Sequence, residues 1–249
     1  MSSKFIHLES NRSAINGGNC FNARFNLNQP MERMKKITIK SLEIPISFPN
    51  IRENSTNTFQ FNFDLNLYSI VLPERNYASI SELLDTINSG LQPFNNTTIV
   101  FLLNTSNNVY IKITGNLPAV FSIVDSNLSR FILGFRSGLD LIDNSTIGTR
   151  IYTAVNRYNL NCDNFITILI SNLNYTNGHT NQSTFKIPFN AQINQVFYYN
   201  ELNSYTQFVS SIDIRQVLMF LDVKILDRFG VQLKSTIDYS MTLLVESEI

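Results

Sequence analysis

The chain has 249 residues, enough for one large β-domain or two small ones, with 43% hydrophobic but only 15% charged residues. Lys+Arg and Asp+Glu number 19 each, so the net charge is +0. That excludes the basic field needed for non-specific nucleic-acid binding, and a charge-poor surface favours association.

Residues 1–30 are rich in Asn, Ser, Arg and Gly, with a breaker at Asn16-Gly17-Gly18. They read as an extended N-terminal arm anchored by Phe5, Phe21 and Phe25, since a purely disordered tail seldom carries three Phe. From Lys36 to Phe48 the chain predicts a strand whose apolar face changes midway: Ile37 and Ile39 have one parity, Leu42 and Ile44 the other. Pro45 and Pro49 mark its exit, because proline cannot donate to a ladder. Thr58–Ile70 reads as one period-two strand, with Phe59, Phe61, Phe63, Leu65 and Leu67 on one face.

Pro73 stops that strand, and an amphipathic helix follows over Ile80–Leu91. Ser79 is its N-cap and Glu82 completes a capping box. Strands are expected next at Thr97–Leu103, Val109–Thr114 and Leu117–Val124, then a helical turn at Asn127–Leu133 and a loop at Gly138–Thr149. Further strands are read at Arg150–Tyr158, Phe165–Ser171, Phe185–Phe189, Gln192–Tyr199 and Ile212–Leu226, and from Asp238 onward. Asn177-Gly178 can form a tight turn, and Asp227-Arg228-Phe229-Gly230 supplies the last one. Turn signals recur at intervals of roughly 8–15 residues, as in an all-β sandwich or barrel. The expectation is all-β: a single jelly-roll β-sandwich over residues 31–249, with one amphipathic helix insertion and the arm 1–30.

The side chains needed for catalysis do not gather in the sequence. His7 and His179 lie in polar segments, away from ligand-spaced Cys, Asp or Glu, so no zinc pattern exists. Cys20 and Cys162 form no disulfide framework, and a Cys162–His179 nucleophile pair has no evident oxyanion hole. Carboxylates such as Asp64, Glu82, Asp125 and Asp222 are scattered, whereas a glycosidase needs two that face each other. Asp140 and Asp143 lack the dense oxygen pattern of a calcium loop, and no phosphate-binding glycine loop is present. No cofactor or metal is expected, and no enzyme activity.

Asn is about one residue in eight, which reads first as the codon bias of an AT-rich genome. The sequons at Asn54, Asn96, Asn104, Asn127 and Asn144 follow from the same bias. The polar start MSSKFIHLESNRS offers no signal-peptide core, and no window approaches 18 apolar residues. A cytosolic origin without a transmembrane segment is expected.

The order of features resembles the penton, or vertex, capsid proteins of jelly-roll DNA viruses, a group spanning nucleocytoplasmic large DNA viruses, virophages and polinton-like elements. Ile44-Pro45-Ile46-Ser47-Phe48-Pro49-Asn50-Ile51 is similar to that family's Ile-Pro-x-Ser-aromatic-x-Asn-Ile segment, with Pro49 at a usually Tyr-like position. Tyr77 before the capped helix, Leu133-Gly134-Phe135, a strand ending in Ser171-Asn172-Leu173 and the final strand–turn–strand follow in the same order. The resemblance spans residues 35–246 and implies a homopentamer at icosahedral vertices, in a virion assembled in the host cytoplasm. Its partners would be neighbouring major capsid protein capsomers and minor capsid proteins, with no direct nucleic acid. Phe5, Phe21, Phe25, Arg228 and Phe229 are the expected subunit contacts. Two alternatives stand beside it: another minor capsid or fibre-type protein, and a carbohydrate-binding sandwich, although no Trp is present for sugar stacking.

Overall fold

The structure is a computed structural model describing residues 1–12, 14–15, 18–64, 66–91, 97–117, 120–136, 142–143, 148–161, 163–173, 181–188, 194–204, 207–214 and 217–248. In chain order the strands are β1 Ser2–Glu9, β2 Ala14–Ile15, β3 Asn22–Met31, β4 Met34–Pro45, β5 Thr58–Phe63, β6 Asn66–Val71, β7 Thr97–Leu103, β8 Val109–Gly115 and β9 Phe121–Val124. They continue with β10 Ile142–Asp143, β11 Thr149–Thr153, β12 Phe165–Leu173, β13 Asn181–Pro188, β14 Val196–Asn200, β15 Phe208–Ile214, β16 Leu218–Leu226 and β17 Ser240–Ser247. Helix α1 is Ile80–Gly90, and a π-helical turn spans Leu128–Ile132.

Contacts divide the chain into two compact units, Met1–Phe48 with Asp163–Ile249, and Pro49–Cys162. In the first unit one sheet runs β1-β17-β4-β14, with β15 also paired to β4, and the other runs β13-β12-β16-β3-β2. With β14 and β15 taken as one interrupted strand, the interleaving is β1-β17-β4-β14/β15 over β3-β16-β12-β13. That is the strand order of a jelly roll, and it bears out the expected fold class. Both inner faces feed one core, with Ile37, Ile39, Met241 and Leu243 from the first sheet and Ile168, Leu221, Val223 and Ile225 from the second.

The face change in β4 is a β-bulge. Ser41 pairs with Thr242 and Ile39 with Leu243, which leaves Lys40 unopposed. The extra residue resets the parity, so Ile37, Ile39, Leu42 and Ile44 all reach the core. Lys40 turns outward and forms an ion pair with Glu201.

Several sequence expectations change. The segment expected as an arm supplies two jelly-roll strands: β1 pairs with β17 and β3 with β16. Asn22, Arg24 and Asn26 alternate with the inward Ala23 and Phe25, so a strand with few bulky apolar residues looks like loop in sequence. The expected single domain from residue 31 is interrupted between β4 and β12 by the entire second unit. The stretch Ile212–Leu226 is two strands, β15 and β16. In β16 the inner face is Leu221, Val223 and Ile225, and the half-buried outer one mixes Phe220 and Leu226 with Asp222 and Lys224.

The second unit holds the sheets β10-β11-β8-β7 and β6-β5-β9, together with α1. Thr58–Ile70 is a hairpin rather than one strand. Phe63 pairs with Asn66 across a two-residue turn that starts at Asp64, whose φ is 54°. Leu67 is therefore exposed; Leu65 lies outside the described residues. Phe59 and Phe61 stay inside, with the Phe59 ring 5.0 Å edge-on from Phe101.

The helix begins at Ser79 as expected, its hydroxyl accepting from the Glu82 N–H at 3.2 Å. The Glu82 carboxylate reaches the N–H of Ala78, one residue before the cap. Asn50 sits at the start of the unit and clamps Tyr77: its Nδ2 donates to the Tyr77 carbonyl at 3.0 Å and its Oδ1 accepts from the Tyr77 N–H at 3.0 Å. Gly134 adopts φ 85°, and a Cβ there would meet the Asn156 carbonyl oxygen at 2.3 Å. The motif residues Asn50, Tyr77 and Gly134 therefore hold the inserted unit together.

Candidate assembly surface

The described residues contain no group of three or more His, Cys, Asp or Glu that could hold a metal. The pairing of Cys162 with His179, together with Asp140, lies outside the described residues. Asp222 is bound in a structural fork: Arg24 Nε and Nη2 donate to its two oxygens at 2.7 and 3.0 Å, and the guanidinium lies 4.1 Å over the Phe220 ring. In the same unit, Ser10 Oγ donates to Asp238 at 2.8 Å and accepts from the Tyr239 N–H. Burial, then the neighbouring Asp238, raises the Cys20 thiol pKa. The buried thiol is held as a neutral structural group.

The notable chemistry of the first unit lies on the outer face of the β1-β17-β4 sheet. Cross-strand register places Phe5, Leu244, Thr38 and Val209 in one row. Their neighbours in sequence, such as Ile37, Ile39, Leu243 and Val245, point into the core, which fixes this row outward. One flanking row carries Glu246 and Lys36, paired at 3.3 Å. On the other side lie His7 and Thr242, then Glu9, Ser240, Glu43 and Tyr198. His7 is held at 3.1 Å from both Thr242 Oγ1 and Glu9 Oε1. The result is a row between polar rows that is apolar and exposed at its two ends, with Thr38 buried and Leu244 half-buried between them. Phe5 is 67% exposed at one end and Val209 41% exposed at the other.

The expected contact residues separate by environment. Phe21 and Phe25 are buried in the jelly-roll core, packing edge-on against Tyr239 at 5.9 and 6.2 Å. Phe5 is displayed on the outer face. Arg228 and Phe229 sit half-buried in the β16 end-loop, with the guanidinium 5.4 Å from the Phe229 ring. Asp227 fixes that loop by accepting from the N–H groups of Phe229 and Val231 at 2.8 and 2.9 Å, and Gly230 supplies φ 82°. The sequence reading missed Val196, Tyr198, Leu202 and Val209, all exposed around β14 and β15. A usable signal was present: Val196-Phe197-Tyr198-Tyr199 lacks the polar alternation of a strand with one wet face.

Among solved structures the chain aligns with the selenomethionine-labelled mavirus penton protein over 100% of both chains, at TM-score 0.50 and 12% identity. The chain shares the fold of the mavirus penton protein. A chain from the 3.5 Å cryo-EM structure of the Sputnik virophage aligns over 98% of both chains at TM-score 0.34 and 11% identity, too loose for strand-by-strand comparison. No protein-family model matches the sequence. No curated protein matches it either. The penton-protein fold covers the whole chain, so the jelly roll and the inserted unit both belong to the likeness. No described helix is long and apolar enough to cross a membrane.

Proposed function

We propose that the protein is a structural component of a virion, a penton-type capsomer that closes a homopentamer at each icosahedral vertex. The observation that carries this reading is the full-length fold likeness to the mavirus penton protein. The surface supports it. The jelly roll exposes the apolar Phe5 and Val209 and an uncharged strand, β14, where a solitary soluble domain would place charge. Contacts in a five-membered ring are heterologous, so each subunit uses two different faces. Neighbouring major capsid protein capsomers and minor capsid proteins would surround the ring, which places the protein in the capsid after assembly in the host cytoplasm. Its role is geometric and requires no reaction. Phe5, Arg228 and Phe229 remain contact candidates, because none of the three is fully buried in its own subunit.

Electron microscopy and native mass spectrometry of the full chain test this. The expected result is five-fold rings with five times the 28.5 kDa chain mass. A stable monomer that binds glycans and never assembles, alone or with capsid partners, refutes it.

A further inference from the structure

The sheet β1-β17-β4-β14 has two different edges among the described residues. On one side β1 pairs only with β17; on the other β14 pairs only with β4. Beside β1, across a cleft, runs β3, which beyond Arg24 pairs with β16 alone among the described residues. The cleft, of about 560 Å³, is lined by every residue from Lys4 to Glu9 and from Phe25 to Gln29. Consecutive residues point alternately in and out, so main chain from two strand edges contributes to these walls. Lys4 Nζ donates to Gln29 Oε1 at 2.6 Å across the gap. Two strand edges facing one slot suit an extended strand better than a compact ligand.

We propose that this cleft receives the β14 edge of a second copy, so that the sheet continues from one subunit into the next. Three observations select that occupant. First, β14 (Val196–Asn200) is an edge with no charge, proline or glycine, and it exposes Tyr198 by 69%. Such an edge is a template for pairing that soluble monomers avoid. Second, Glu9 and Tyr198 end one cross-strand row of the outer face, through Ser240 and Glu43, each on the edge strand of its side. Continuing the sheet without a shift along the strands sets Tyr198 of one copy beside Glu9 of the next and covers the ring. Third, the directions agree. β1 is parallel to β4 because both are antiparallel to β17, and β14 is antiparallel to β4. Copies related by rotation about an axis along the strands therefore bring β14 to β1 antiparallel, the more stable pairing. An edge meeting a different edge is heterologous, as a ring requires. The inference deepens the ring reading and rests on it for the number of copies.

Two full-length variants, Glu9→Cys and Tyr198→Cys, test the contact when mixed under assembly conditions and treated with a short bis-maleimide. Within one chain the two positions are three strand spacings apart, roughly 14 Å, beyond the linker's easy reach. A covalent dimer that appears in the mixture, and not in either variant alone or the parent chain, is the expected result. Tyr198→Lys is expected to raise the concentration needed for assembly by about tenfold, as loss of a buried interface aromatic does, without lowering the melting temperature. Rings that form without the mixed crosslink, and that tolerate Tyr198→Lys, overturn the edge pairing and leave the ring reading intact. Crosslinked filaments or dimers uphold the edge pairing and overturn the pentamer. A chain that stays monomeric in every assembly condition overturns both.

Discussion

Asn50, Asn88 and Asn19 each use a side-chain amide as a substitute strand. Asn88 donates to the Phe101 carbonyl at 2.9 Å and accepts from its N–H at 2.7 Å, as Asn50 does for Tyr77. Asn19 donates to Leu233 O and accepts from the N–H groups of Phe21 and Ser235. The abundance of asparagine, readable in sequence only as a compositional bias, therefore includes specific structural positions. Asn50→Ala strands two buried backbone groups and is expected to cost about 2–3 kcal/mol in urea denaturation. Gly134→Ala combines a positive φ with a backbone clash and should cost about 2–4 kcal/mol, read as a lower urea midpoint. Tyr239 works the other way. Its hydroxyl is buried with no hydrogen-bond partner among the described residues, and burial, reinforced by Cys20, raises its pKa. A phenol harder to ionise when folded adds stability below its unfolded pKa near 10, and loses it as pH rises beyond that, because the unfolded chain ionises first. Tyr239→Phe should cost less than about 1 kcal/mol at pH 7, or stabilise, and should flatten the loss of stability measured at about pH 10.5.

Elements were legible where one residue type sets the backbone. Helix α1 was placed by its cap, and Ser79→Ala should cost about 1 kcal/mol, measured by thermal unfolding of the full chain. The Asp227–Gly230 turn was placed by a carboxylate and a glycine, and both act as turn residues should. The β5–β6 hairpin was hidden because Asp64 makes its turn without glycine, inside an unbroken period-two pattern. β3 was hidden because its outward residues are Asn and Arg and its inward ones include Ala23. The outer-face row was half legible. Phe5 could be named as a contact, but its row needs Leu244, Thr38 and Val209, which meet only through register.

At the scale of the molecule, the two units have separate cores and interrupted chain order. Calorimetry is expected to resolve two transitions, with Phe59→Ala lowering one and Ile225→Ala lowering the other, each core truncation costing about 2–5 kcal/mol. A single transition moved equally by both changes would show one cooperative block instead. The insertion left no mark on composition, because both units are built from the same short strands and the same Asn-rich loops.

The sequence by itself determined the all-β class, the capped helix, the closing turn and the parity change in β4, because each depends on side-chain periodicity or on one residue's backbone preference. Tertiary structure alone decided the jelly-roll strand order, the place of the inserted unit, and the division of three apparently equivalent phenylalanines into buried Phe21 and Phe25 and exposed Phe5. Those outcomes depend on pairing between distant segments. A strand's neighbour in the sheet, rather than its own sequence, decides which of its faces and edges are left for another subunit.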